Sequence, residues 1–154
     1  MQIRLKYGVY VDKSPTEVFN FLADPDRMSE WQSSLFEVKG KKGMGGNGKL
    51  QKGAKVNDRR NVLGKEIDSE WEVSEIEQDK RLVLRLTAGL SNWETVYTLS
   101  PLDNGTYLTA DGNGDLGDVP MSAVAAHRTC QRMFEDDLTT FSDILETGGP
   151  RGRK

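Results

Sequence analysis

The chain has 154 residues, 21 basic and 24 acidic side chains interspersed to a net charge of −3, and one cysteine. That length is one domain's worth and is enough to enclose a pocket, while no apolar run approaches the ~18 residues that a membrane-spanning helix needs. The lone Cys130 excludes an intrachain disulfide, and the mixed charge leaves no basic face for nucleic acid outside Arg151-Gly152-Arg153-Lys154, so a cytoplasmic protein without nucleic-acid partners or stable membrane insertion is expected.

Ile3, Leu5, Tyr7, Val9 and Val11 alternate with Gln2, Arg4, Lys6, Gly8 and Tyr10, which predicts a long opening strand apolar on one side and not the continuous apolar block of a signal peptide. Ser14-Pro15-Thr16-Glu17 then reads as a capping box: serine caps, proline takes the first helical position and glutamate reaches back. Val18, Phe21 and Leu22 form the inner face of that helix. Asp24-Pro25 stops it and starts a second short helix ending near Trp31.

Residues 35 to 115 predict six strands in an antiparallel meander, because the intervals between apolar runs are turn chemistry and leave no room for parallel crossovers. Asn104-Gly105 is a hairpin signal of that kind. Residues 43 to 48, Gly-Met-Gly-Gly-Asn-Gly, match the spacing of a dinucleotide-binding loop. That role requires a helix N-terminus after the glycines, and Lys49-Leu50-Gln51-Lys52-Gly53 offers a single apolar residue and another glycine. Glu66 and Asp68 lie near the spacing of a ribose-binding acid but belong to an alternating run of carboxylates, the outer face of a strand. The stretch reads as a flexible hairpin loop.

From about Pro120 to Glu146 a helix of ~40 Å is expected at 1.5 Å per residue. Ala123, His127, Cys130, Phe134, Leu138, Phe141 and Leu145 form one narrow stripe, with Arg128, Arg132, Glu135, Asp136 and Asp143 opposite. Its partner is the concave face of the meander. Residues 148–154, following the Gly-Gly-Pro break, are expected to be a disordered tail.

The order of elements, with the run from Ser14-Pro15-Thr16-Glu17-Val18-Phe19 through Asp24-Pro25-Asp26 to Trp31 and the later Trp93-Glu94-Thr95-Val96-Tyr97-Thr98-Leu99-Ser100-Pro101, resembles the START-like superfamily in its bacterial polyketide cyclase/dehydrase and lipid-transport branch. The resemblance covers about residues 1 to 146 and marks a single domain, 1–147. It implies an α+β helix-grip fold: a curved seven-stranded antiparallel sheet wrapped around a long C-terminal helix, two short helices after the first strand, and a ligand cavity between sheet and helix. It implies no particular chemistry, since the superfamily hosts cyclases, lipid carriers, receptors and co-chaperones on one scaffold.

Strand parity selects the candidates for that cavity. Glu66, Asp68, Glu70 and Glu72 share one side, which turns Ile67, Ser69, Trp71 and Val73 inward, and Trp93, Thr95, Tyr97 and Leu99 share a side of a later strand. Trp71, Trp93, Thr95 and Tyr97, with Phe134 and Leu138 from the helix stripe, read either as an aromatic ligand-binding lining or as a filled core. Asp58 and Arg60 follow the parity of Val56 and Val62, and as an inward pair they either bind a ligand carboxylate or carbonyl or neutralise each other. His127, the single histidine, is the candidate acid–base group, with Arg60, Asp58 and Tyr97 as its catalytic partners, or else is satisfied by a backbone carbonyl. Cys130 reads as a small buried hydrophobe. One His and one Cys make no zinc site, and neither metal nor cofactor is expected. The expected function is binding of a small, largely apolar molecule in a polyketide cyclase/dehydrase-like cavity, by a monomer or homodimer. If catalytic, the protein is a cofactor-independent cyclase or dehydratase of polyketide-like substrates. The alternatives are a lipid or quinone carrier and a protein-interaction module of the co-chaperone type.

Overall fold

A computed structural model describes residues 1–89 and 92–148. Strand β1 (Gln2–Val11) leads into helix α1 (Pro15–Leu22) and a 3₁₀ helix (Pro25–Glu30). Strands β2 (Leu35–Lys42), β3 (Lys55–Val62), β4 (Lys65–Glu77), β5 (Arg81–Ala88), β6 (Asn92–Leu102) and β7 (Gly105–Asp115) follow, and helix α2 (Ala123–Thr147) closes the chain's described part. The seven strands form one antiparallel sheet in the order β1-β7-β6-β5-β4-β3-β2. Consecutive strands are neighbours from β2 onward, and the two short helices carry the chain from one sheet edge, β1, to the other, β2. This is the helix-grip arrangement. Among the described residues no helix is long and apolar enough to cross a membrane. The tail expected to be disordered, apart from Gly148, lies outside the described residues.

Local chemistry sets the element ends. Ser14 Oγ accepts from the Glu17 amide at 3.2 Å, and Pro15 occupies the first helical position. Among the described residues the Glu17 carboxylate makes no return bond, so only half of the capping box forms. Helix α2 starts at Ala123, later than the sequence suggested, because Ser122 is its cap and accepts from the Ala125 amide at 3.2 Å. Its other end is closed by Gly148 in the left-handed conformation, φ 81°.

The glycine-rich segment connects the antiparallel neighbours β2 and β3, and no helix follows it. The hairpin reading holds, with more structure than a free loop. Gly43, Gly48 and Gly53 all take positive φ, and between the last two the chain tucks Leu50 into the core at 7% exposure. Gly53 then donates to the Val73 carbonyl at 2.8 Å and the Val73 amide to Ala54 at 2.9 Å, so the loop is sewn onto β4.

The core lies between the concave sheet and the two longer helices. Phe141 of α2 is its centre, with Phe21 at 4.8 Å and Trp31 at 5.1 Å between ring centroids. The buried line of α2 runs through Ala126, Cys130, Leu138, Phe141 and Ile144. Two residues of the expected stripe are corrected: Ala123 and His127 are exposed. At 3.6 residues per turn His127 lies about 60° round the helix from Cys130, far enough to leave the sheet and lie along the outside of β1.

Candidate functional site

A cavity of about 140 Å³ remains between the sheet and α2. Its apolar wall includes Trp71, Leu84, Leu86, Trp93, Phe134 and Leu138. Polar groups enter from Gln32, Ser34, Arg60, Thr95, Tyr97 and Asp137. The period of two along β4 and β6 is what aims Trp71, Trp93, Thr95 and Tyr97 at this space.

Asp58 and Arg60 do turn inward, and they engage each other. Asp58 is 1% exposed and accepts from Arg60 Nε at 3.2 Å, Arg60 Nη2 at 2.5 Å, Trp71 Nε1 at 3.0 Å and the Ser69 hydroxyl. Strand register produces this set, since Ser69 stands directly opposite Asp58 and Trp71 opposite Val56. Arg60 Nη1 reaches Gln32 Oε1 at 3.5 Å. The guanidinium therefore lines the cavity with its fork already closed on a carboxylate, and Asp58 stands behind it, outside the lining. The reading of this pair as a receptor for a ligand carboxylate is corrected on that ground, as is that of Asp58 as a catalytic group.

His127 is a second correction. It is exposed, its Nε2 lies 3.2 Å from the Arg4 carbonyl, and it is absent from the cavity wall. The imidazole lies outside the cavity lining.

The carboxylate that does line the cavity is Asp137, which the pattern of apolar residues passed over. It lies seven residues after Cys130, three after Phe134 and four before Phe141, squarely on the inward line. Ser33 donates its backbone N–H to Asp137 Oδ1 at 3.1 Å, and no ion pair includes the carboxylate among the described residues. Burial raises its pKa to about 6, against the opposing pull of the Ser33 donors and the Arg60 charge, with Asp136 adding to the rise. Burial likewise drives the Tyr97 phenol above its ordinary range, Arg60 pulling the other way, and pushes the Cys130 thiol up, which keeps it unreactive.

Two donors near the cavity lack partners among the described residues: the Trp31 indole N–H, which is fully buried and does not open onto the space, and the Tyr97 hydroxyl. The Trp93 indole, by contrast, donates to Thr95 Oγ1 at 3.0 Å. Its ring lies over Gly112 of β7: a Cβ at that position would stand 2.8 Å from Trp93 Cζ2 and 3.6 Å from Phe134 Cε1.

Trp71, Trp93, Thr95, Tyr97, Phe134, Leu138 and Arg60 thus surround one space, whereas His127 and Asp58 do not share it. Sequence reasoning missed Asp137, Trp31 and Gln32. An acid inside an apolar helix stripe was the available signal for the first; nothing local marked the other two.

The sequence matches the family described as polyketide cyclase / dehydrase and lipid transport over residues 2–146. The chain belongs to that family. No curated protein matches it in sequence. Solved structures share the family's helix-grip fold at low identity. A START superfamily protein from Mycobacterium smegmatis is 14% identical with a TM-score of 0.75, covering 93% of this chain and 97% of that one. The Aha1 dimer from Colwellia psychrerythraea is 15% identical with a TM-score of 0.65, covering 95% and 98%. DynU16, a putative protein in the dynemicin biosynthetic locus, is 21% identical with a TM-score of 0.65, covering 96% of this chain and 48% of the other. Members of the polyketide cyclase/dehydrase and lipid-transport family are built to hold hydrophobic molecules, and the cavity of this member is of that character.

Proposed function

We propose that this protein binds and carries a small, largely apolar molecule of about one aromatic ring, held by Trp71, Trp93, Thr95, Tyr97, Phe134 and Leu138. The observation that carries the reading is the cavity's size together with its wall. An apolar cavity of roughly 150 Å³ admits a benzene-sized guest, whereas drug-sized ligands occupy roughly 300–1,000 Å³. At about 140 Å³ the space suits a single ring and is too small for a multi-ring polyketide or a long acyl chain. The Tyr97 hydroxyl, on the cavity wall and without a partner among the described residues, favours a guest with one polar atom. The cytoplasm is the expected setting, and a homodimer remains compatible with the dimeric Aha1 relative.

A second reading, cofactor-independent cyclisation or dehydration, is favoured by the convergence of Arg60, Tyr97 and Asp137 on one cavity, since such steps need a base and a charge-stabilising group together. The biosynthetic setting of DynU16 points the same way.

Thermal-shift screening of one-ring and two-ring aromatics, flavonoids, quinones and fatty acids tests the carrier reading. A guest bound only by the folded state raises stability by ~2.7 kcal/mol at a hundredfold excess over Kd. One-ring compounds should stabilise the protein and Trp93→Ala should weaken them. Stabilisation by long-chain fatty acids alone, or by nothing, would refute the reading.

A further inference from the structure

Resting on that ligand-binding reading, the structure also says something about the guest's polar atom. We infer that the cavity selects a neutral aromatic hydroxyl compound, a phenol whose O–H donates to Asp137, and rejects carboxylates.

Arg60 is the single cation among the described lining residues, and its Nε and Nη2 are closed on Asp58 while Nη1 faces Gln32. Asp58 is saturated in turn by Ser69 and Trp71. That pair is neutral as a unit: the Nε–Nη2 edge of the guanidinium is spent on Asp58, and its charge is already matched by a buried carboxylate before any anion arrives. Asp137 is the remaining charge. Its protein donors come from Ser33, on the side where α2 meets the segment after the 3₁₀ helix, and no cation pairs with it among the described residues. The charged groups around it are Glu30, Arg132 and Asp136 in the outer groove and Arg60 beside the Tyr97 phenol within the cavity. With its pKa raised to about 6, Asp137 is ionised at pH 7.5.

A carboxylate guest would place a second negative charge in the same small, mostly apolar space without a free cation to meet it, the least favourable case for burying charge. A phenol reverses both terms. Its O–H supplies Asp137 with a donor, a charge-assisted bond of the stronger class, and its oxygen accepts from the Tyr97 hydroxyl on the same cavity wall. The ring then fills the apolar remainder.

Three probes of matched shape test this at pH 7.5 by isothermal titration calorimetry: toluene, p-cresol and p-toluate. The expected order is p-cresol roughly tenfold or more tighter than toluene, and p-toluate without measurable binding. In Asp137→Asn the p-cresol advantage over toluene should fall to a few-fold and p-toluate should gain affinity. Equal affinities of toluene and p-cresol for the wild-type protein, or p-toluate binding as tightly as p-cresol, would overturn the inference while leaving the cavity a binding site. Binding of none of the three would remove the ligand-binding reading and this inference together. The wild-type order decides the matter by itself if the variant does not fold.

Discussion

Replacing Asp137 with asparagine should make the protein more stable at alkaline pH. The fold raises the pKa of this carboxyl to about 6, from an ordinary value near 3.9 in the unfolded chain. For an acid the sign is therefore inverted relative to a salt-bridged aspartate: the folded state favours the protonated form, its contribution is complete below about pH 4, and it is lost as pH rises through 6. The difference corresponds to ~3 kcal/mol at most, and about 2 kcal/mol once the partial exposure of the side chain is allowed for. Asparagine keeps an Oδ1 acceptor for the Ser33 amide and carries no charge. For a chain of this size a gain of about 2 kcal/mol corresponds to roughly 4–8 °C in Tm. Melting curves of both proteins from pH 4 to pH 8 should coincide near pH 4 and diverge by that amount at pH 8. Carboxylates held below their usual range, such as Asp111 beside Arg4, weaken both proteins equally in acid and cancel from the difference. A Tm difference independent of pH, or a variant less stable at pH 8, would refute the account of Asp137 as a desolvated, unpaired acid.

Arg60→Ala removes two of the donors to buried Asp58 and should lose about 3 kcal/mol or more in urea unfolding, the usual loss when one partner of a buried pair is deleted; a loss below about 1 kcal/mol contradicts the pairing. His127→Ala should change stability by less than about 0.5 kcal/mol and leave the affinity for any cavity ligand unaltered, and a measurable drop in that affinity would return the histidine to the site. Leu50→Ala should destabilise by about 2 kcal/mol although it lies in a glycine-rich loop, while NAD and ATP titrations show no saturable heat; a neutral substitution would mean the loop is not anchored.

Strand residues were legible in the sequence because a period of two admits only two answers, and a run of outward carboxylates from Glu66 to Glu72 fixes which one holds. The inward set Ser69, Trp71 and Val73 followed directly, and so did Thr95, Tyr97 and Leu99. Helix faces are less forgiving. A stripe of apolar residues locates the buried side to within about a third of a turn, and His127 and Asp137 fall on either side of that tolerance. An acid on an amphipathic helix is assigned to water by default, so Asp137 could be recognised only after sheet and helix had been brought together. Trp31 and Gln32 enter the cavity from a segment between elements, where no periodicity constrains direction. The Asp58–Arg60 pair was visible as a pair of inward charges, but whether its donors faced a guest or each other depended on the side chains of the adjacent strand.

The footing of Trp93 on Gly112 means that the reach of the cavity is set from behind its wall. A methyl group at residue 112 would meet Trp93 Cζ2 at 2.8 Å, and since that atom is the far end of a side chain, the indole is what yields. Trp93 lines the cavity, so its displacement changes the shape of that wall. The space in front of Trp93 thus depends on a residue that contributes no side chain. A single substitution there could rescale the admissible guest while Asp137, Arg60 and Tyr97 stay as they are, so that dimension and polarity of the ligand can diverge independently as the sequence drifts.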